Sequence, residues 1–129
     1  MRTKATESLY TDADMQCLLN RIADKWTALI IGLLEQEPRR FGILHREIEG
    51  VSQKMLTQTL RELERNGIVQ RTVFAQVPPR VEYALTPLGR TLCKPLAALR
   101  QWTLEYRGEV VKAREEYDER QRGGEAAKG

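Results

Sequence analysis

The segment Gly50-Val51-Ser52-Gln53-Lys54-Met55-Leu56-Thr57-Gln58-Thr59-Leu60-Arg61-Glu62-Leu63-Glu64-Arg65-Asn66-Gly67 decides the fold. Ser52 is a natural N-cap, because its short side chain can accept a free N–H of the first helical turn. Met55, Leu56, Thr59, Leu60 and Leu63 then fall on one side at helical spacing. Gly67 suits the left-handed residue just past a helix end. A helix over 52–65 is therefore predicted. Phe41, Leu44 and Ile48 mark a shorter helix before it, closed by Gly50, so the tight turn Glu49-Gly50-Val51-Ser52 joins two short helices.

Beyond Gly67 the period changes. Residues 68–74 are rich in β-branched types and alternate loosely, Val77-Pro78-Pro79-Arg80 interrupts them, and residues 81–85 alternate cleanly, which predicts a hairpin. Thr86-Pro87 opens a last helix, with Thr86 as N-cap and Pro87 at its first position, running at least to Tyr106. Upstream, Thr11-Asp12-Ala13-Asp14 has the form of a capping box, and Met15, Leu18, Leu19 and Ile22 give a first helix to about Ala23. Asp24 can cap a second helix carrying Trp26, Leu29, Ile30, Leu33 and Leu34, which stops near Glu35, ahead of Pro38. The order is helix, helix, helix–turn–helix, hairpin, long helix. It predicts a mainly α fold with a small β-hairpin: a dimeric winged helix-turn-helix.

The domain is expected over 11–106, with terminal helices for dimerisation, after a flexible N-terminus (1–10). Residues 107–129 are expected to form a charged extension, disordered from Arg120. At 129 residues, 41% apolar and 30% charged, the chain suits one globular domain with tails. Its longest nearly apolar run, Trp26 to Leu34, is too short for a bilayer, and no signal-peptide core follows Met1-Arg2-Thr3-Lys4. A cytoplasmic location without a membrane partner is expected. Cys17 and Cys93 are too few for a disulfide framework, and with one histidine they make no zinc pattern. No metal and no cofactor are expected. A catalytic role is not expected either, since His45 lacks the orienting carboxylate and oxyanion site that pairing with Cys17 would require.

A net charge of +3 permits nucleic-acid binding without demanding it, so the placement of charges must decide. Opposite the apolar face of the 52–65 helix fall Gln53, Thr57 and Arg61, at i, i+4 and i+8, with Lys54 and Gln58 beside them. Such side chains suit phosphates and base edges alike: Arg and Lys for guanine, Gln for adenine, Thr for either. Ser52 stands where helix N–H groups can face a phosphate. The plainer alternative is a solvated polar face; the position after a helix–turn favours DNA. Arg80 at the hairpin tip can reach the flanking backbone or minor groove, or be an ordinary exposed arginine. Arg39 and Arg40 can hold phosphates, or pair with glutamates. The last helix carries Leu92, Leu96, Leu99 and Trp102, expected at a dimer interface, because two recognition helices must meet successive major grooves. The function expected is regulation of transcription by a homodimer on a palindromic double-stranded DNA operator, as repressor rather than activator. The alternative is a winged helix used as a protein-interaction module without DNA binding.

Lys25-Trp26-Thr27, Arg39-Arg40-Phe41, Ile48 to Thr57, Leu60-Arg61-Glu62-Leu63-Glu64 with Gly67-Ile68-Val69, Val77 to Tyr83, Leu85-Thr86, Gly89 and Trp102 together resemble the HxlR family of bacterial transcriptional regulators, over about residues 12 to 106. The resemblance implies a dimeric winged-helix regulator, often tied to redox or reactive-electrophile responses, with the first and last helices building the dimer and a small-molecule or oxidant effector. Two departures stand out. Ala23-Asp24 replace the Gly-Gly usual before Lys-Trp, and no cysteine lies at Asp12 to Asp14, where many members carry their sensor. Cys17 comes about a turn later. At helical spacing it points away from the apolar side of the first helix, with Arg21 one turn on, where a cation can favour the reactive thiolate. Sensing through Cys17, an interface role and a neutral surface position all stay open. Cys93 reads as a small buried hydrophobe.

Overall fold

The computed structural model describes residues 13–128, with side chains for 13–124. The flexible N-terminus expected over 1–10 and the cap expected at Thr11 lie outside the described residues. The elements are α1 (Ala13–Ile22), α2 (Lys25–Gln36), β1 (Arg39–Arg40), α3 (Phe41–Glu47), α4 (Gln53–Arg65), β2 (Val69–Phe74), β3 (Arg80–Leu85), α5 (Pro87–Arg90) and α6 (Cys93–Lys128). They fall into two compact units, one up to Cys93 and one from Lys94 onward.

In the first unit, local chemistry sets the helix ends. The Asp24 carboxylate accepts from Trp26 N–H at 2.9 Å and caps α2. The Ser52 hydroxyl accepts from Met55 N–H at 3.0 Å and caps α4. Gly67 (φ 75°) ends α4: its N–H donates to Glu64 O at 3.0 Å and that of Ile68 to Leu63 O at 2.9 Å, the paired bonds of a Schellman motif. Gly50 (φ 88°) makes the turn before α4.

The core is apolar and continuous through α2, α3, α4 and the sheet: Ile30, Ile31, Leu34, Leu44, Leu56, Leu60, Leu63, Ile68, Val69 and Leu85 are buried. Two sequence assignments shift. Leu29 is exposed and Ile31 takes its place inside, and Met55 is 39% exposed. Met55 sits roughly 90° around α4 from the centre of the Leu56–Leu60–Leu63 stripe, at the edge of what the core can cover.

The hairpin β2–β3 is antiparallel, with Val69 opposite Leu85 and Phe74 opposite Arg80. A third strand joins it, since Arg39 and Arg40 pair with Tyr83 and Glu82, giving the sheet order β1-β3-β2. The small sheet is thus one strand larger than the expected hairpin. Two residues of β1 are too short for alternation to reveal.

The last helix is not continuous from Pro87. Thr86 caps α5 through Gly89 N–H (2.9 Å), but Thr91 and Leu92 then bond only to Leu88 O and Gly89 O, in tighter i−3 turns. Pro95 explains the break, because in an unbroken helix its ring would strike the carbonyl of Thr91. Placed instead in the first turn of α6, it lacks only an N–H that would have no helical partner there.

In the second unit, α6 runs to Lys128, through the stretch from Arg120 where disorder was expected. Its charged portion is built of helix formers, and Lys112–Glu116, Glu116–Arg120 and Asp118–Arg122 stand at the supporting i, i+4 spacing.

Candidate nucleic-acid interface

Burial of Leu56, Thr59, Leu60 and Leu63 fixes the rotation of α4 about its axis. Gln53, Lys54, Gln58 and Arg61 are consequently exposed. Among the described residues, the side chains of Gln53, Lys54 and Gln58 have no hydrogen-bond or ion-pair partner within the chain. With Thr57, Arg61 and Glu62 they line an open concavity of about 730 Å³. Donors without internal partners, grouped on one rigid helix, are what phosphates and base edges require.

The other expected residues are more constrained. Thr57 is half-buried and its hydroxyl donates to Gln53 O at 2.8 Å. Ser52 uses its oxygen as the helix cap. Arg40 is exposed on β1, opposite Glu82. Arg39 is bound into the protein: its side chain is 15% exposed, one amino group donates to Gln36 Oε1 at 2.9 Å, and the other lies 3.4 Å from Glu47 and 3.8 Å from Glu37. Of the two readings open for Arg39, the geometry agrees with pairing to glutamates. Arg80 stands beside the hairpin tip, in the last strand pair before the loop, opposite Phe74. Its guanidinium packs 4.1 Å from the Phe74 ring centre, and its Nε lies 3.4 Å from Glu82, close enough for an ion pair but not aligned for a hydrogen bond. The tip is left to Gln76, Val77, Pro78 and Pro79, all exposed.

Two contributors escape a reading confined to single elements. Arg65 is exposed and continues the Lys54, Gln58, Arg61 stripe at the same alternation of four and three. Arg71 on β2 sits directly across from Tyr83, with its Nε 3.7 Å from Glu64 of α4. Thr57, Arg61, Glu64, Arg71 and Tyr83 thus enclose a smaller hollow of about 250 Å³ between α4 and the wing. Burial pushes the Tyr83 phenol up; Arg71 opposes this, Glu64 adds to it and Arg61 opposes it again. Tyr83 is therefore a neutral donor at ordinary pH. Counting back from the hairpin centre at Val77 pairs Arg71 with Tyr83, a signal present in the sequence.

Cys17 is exposed and free. It lines a hollow of about 720 Å³ with Asp14, Arg21, Asp24, Glu62 and Arg65 among its walls. Arg21 is shared with Asp24 at 4.0 Å, so the neighbouring cation inferred from helical spacing comes with carboxylates around it. Cys93 is half-buried rather than fully buried, and its thiol is pushed up by burial, by the negative charge of Glu35 and by a hydrogen bond to that carboxylate. Of the residues expected at a dimer interface, Leu92 and Leu96 are half-buried, while Leu99 and Trp102 are 61% and 53% exposed. Among the described residues, no helix is long and apolar enough to cross a membrane, and no cluster of His, Cys, Asp or Glu is arranged to hold a metal ion.

Comparison with known proteins agrees with this geometry. The HTH-type transcriptional regulator YtfH of Escherichia coli (strain K12) is 41% identical over 99 residues, 77% of this chain and 79% of its own length. The solved structure of the transcriptional regulator ytfH from Salmonella typhimurium superposes with a TM-score of 0.72 at 39% identity, covering 78% of this chain and 90% of the other. The redox regulator HypR in its reduced form matches with a TM-score of 0.69 at 37% identity, over 78% and 99% of the two chains. The family model for the HxlR-like helix-turn-helix matches residues 21–111. The chain belongs to the HxlR-like helix-turn-helix family, and is a winged helix-turn-helix regulator of transcription.

Proposed function

We propose that this regulator binds a palindromic double-stranded DNA operator as a homodimer and acts as a repressor, with α4 in the major groove and the Val77–Pro79 wing tip beside the flanking minor groove. The observation that carries this reading is the exposed face of α4, where Gln53, Lys54, Gln58 and Arg61 point outward from a helix whose rotation the core fixes. Arg40 and, beside the wing tip, Arg80 add positive charge toward the flanking backbone. Arg39 is left as a structural residue. Leu18 and Leu19 of α1, 41% and 48% exposed, and Leu99 and Trp102 of α6 are apolar surfaces that a second copy would cover. Repression follows from occupancy, since a dimer spanning two major grooves excludes other proteins from that stretch. The redox-regulator neighbour supports an oxidant or electrophile as the signal, with exposed Cys17 as the residue that meets it.

The test is affinity for a duplex selected by the protein from a random-sequence pool, measured against salt. Lys54, Arg61 and Arg40 in each of two subunits give six phosphate contacts, a log–log slope near about −5, and roughly a 10³-fold loss of affinity between 50 and 200 mM salt. Lys54→Ala with Arg61→Ala removes four of the six, flattening the slope to about −2 with dimerisation intact. A flat slope in the parent, or no duplex recovered, would leave a protein-interaction module as the better reading.

A further inference from the structure

The family match ends at residue 111, but α6 continues to Lys128, and the helix has a period of its own across that limit. Leu99, Thr103, Tyr106, Val110, Ala113 and Tyr117 follow at alternating steps of four and three, with Leu96 one step earlier. A stripe kept at a mean spacing of 3.5 residues is the seam of a left-handed two-stranded supercoil. Leu99, Tyr106 and Tyr117 are 61%, 39% and 54% exposed, so the stripe is uncovered in the single chain. Arg120 and Gly124 take the next two seam positions and end it.

Two further features identify what covers it. Val110, Ala113, Arg114 and Tyr117, at i, i+3, i+4 and i+7, line an open hollow of about 440 Å³ with Asp118. Four residues in that arrangement form the hole that receives one side chain of a facing helix. The flanks of the seam also differ in sign: Arg100, Arg107 and Arg114 run along one side, Glu109 and Glu116 along the other. In a parallel pair, the glutamate flank of each helix meets the arginine flank of its neighbour, and Glu109 faces Arg114 of the partner subunit. In an antiparallel pair, arginine would face arginine and glutamate would face glutamate.

We propose that residues 99–117 of α6 pair with the same segment of a second copy of this chain as a parallel two-stranded coiled coil, in register at Ala113. The occupant is the second subunit of the homodimer proposed above. Orientation and register are the new content, as is the extension of the interface past Trp102 to Tyr117.

The experiment uses the full chain with Cys17→Ser and Cys93→Ser, and adds one cysteine: Ala113→Cys on the seam, or Glu115→Cys on the outward side. Sedimentation gives the oligomeric state, and diamide oxidation followed by non-reducing electrophoresis gives the rate of bridging. The protein is expected to sediment as a dimer, with Ala113→Cys bridging at least about tenfold faster than Glu115→Cys, because a parallel, in-register pair places each seam residue beside its own copy. Glu109→Arg should weaken the dimer on the order of tenfold by placing like charges together, and Glu109→Arg with Arg114→Glu should restore it. A dimer in which Ala113→Cys does not bridge overturns the coiled coil and leaves the homodimer standing. A monomer overturns both. A dimer strengthened by Glu109→Arg overturns the parallel orientation.

Discussion

Gly89 is the position where one added carbon would do most damage. It lies in α5 against the backbone of Ile68, and a Cβ built on it would overlap the Ile68 carbonyl oxygen, with the carbonyl carbon at 3.1 Å and a Leu85 methyl at 3.2 Å. The carbonyl cannot simply withdraw. It accepts from Thr86 N–H at 3.1 Å, and the Thr86 hydroxyl, which donates to the adjoining Gly67 O at 2.6 Å and lies 3.1 Å from Ile68 O, accepts from Gly89 N–H. Gly89→Ala must therefore open this knot. Overpacking costs about 1–3 kcal/mol, each hydrogen bond lost about 1 kcal/mol, and alanine returns at most about 1 kcal/mol of helix propensity. The net loss is about 2–4 kcal/mol, or roughly a 10–25 °C fall in Tm for a domain of this size. Circular dichroism melts of the full chain measure it. Gly108→Ala is the control, because nothing lies within 4 Å of its Cβ position on α6, and it should be neutral or stabilising by up to about 1 kcal/mol. If Gly89→Ala melts within a few degrees of the parent, the reasoning about this contact is wrong. Since Ile68 follows the Gly67 cap of α4, the same variant should also lose duplex affinity at temperatures below its melt.

Ser52→Ala removes the α4 cap at Met55 N–H and should cost about 0.5–2 kcal/mol in urea unfolding, whereas Ser52→Asp should keep stability and lose duplex affinity by adding a carboxylate beside phosphate. Exposed Cys17 should be alkylated by iodoacetamide at pH 7.5 before Cys93, as read by mass spectrometry of the two peptides. The raised Cys93 thiol holds its proton longer, so its lag should shrink as pH rises toward its ionisation, and Glu35→Gln should shorten the lag by removing the carboxylate that raises it. Alkylation of Cys93 first would contradict its placement. Diamide or a quinone should weaken duplex binding by the parent and leave Cys17→Ser unaffected; equal loss in both would remove Cys17 from any sensing role.

How far the sequence carries depends on the range over which each signal acts. The capping of α4 by Ser52, its end at Gly67 and the burial of Leu56, Leu60 and Leu63 are consequences of residues within a few turns of one another, and all were legible. So was the outward face of Gln53, Lys54, Gln58 and Arg61, because burying one side of a helix exposes the other. Which of its two readings Arg39 takes was not legible, since its partners Gln36, Glu37 and Glu47 converge only when β1 joins the sheet and α3 packs beside it. The Arg61–Glu64–Arg71–Tyr83 cluster likewise needs the hairpin register and the position of α4 together. Pro95 acts locally, yet its effect becomes evident only when the carbonyl four residues back is considered. These cases separate two kinds of basic residue. Lys54 and Arg61 depend on the rotation of one helix and keep their donors for a ligand. Arg39 has spent its donors joining elements, so removing it should lower the melting temperature, while removing Lys54 should lower DNA affinity at unchanged stability. Position in the fold, more than the charge itself, sets which of the arginines are available to DNA.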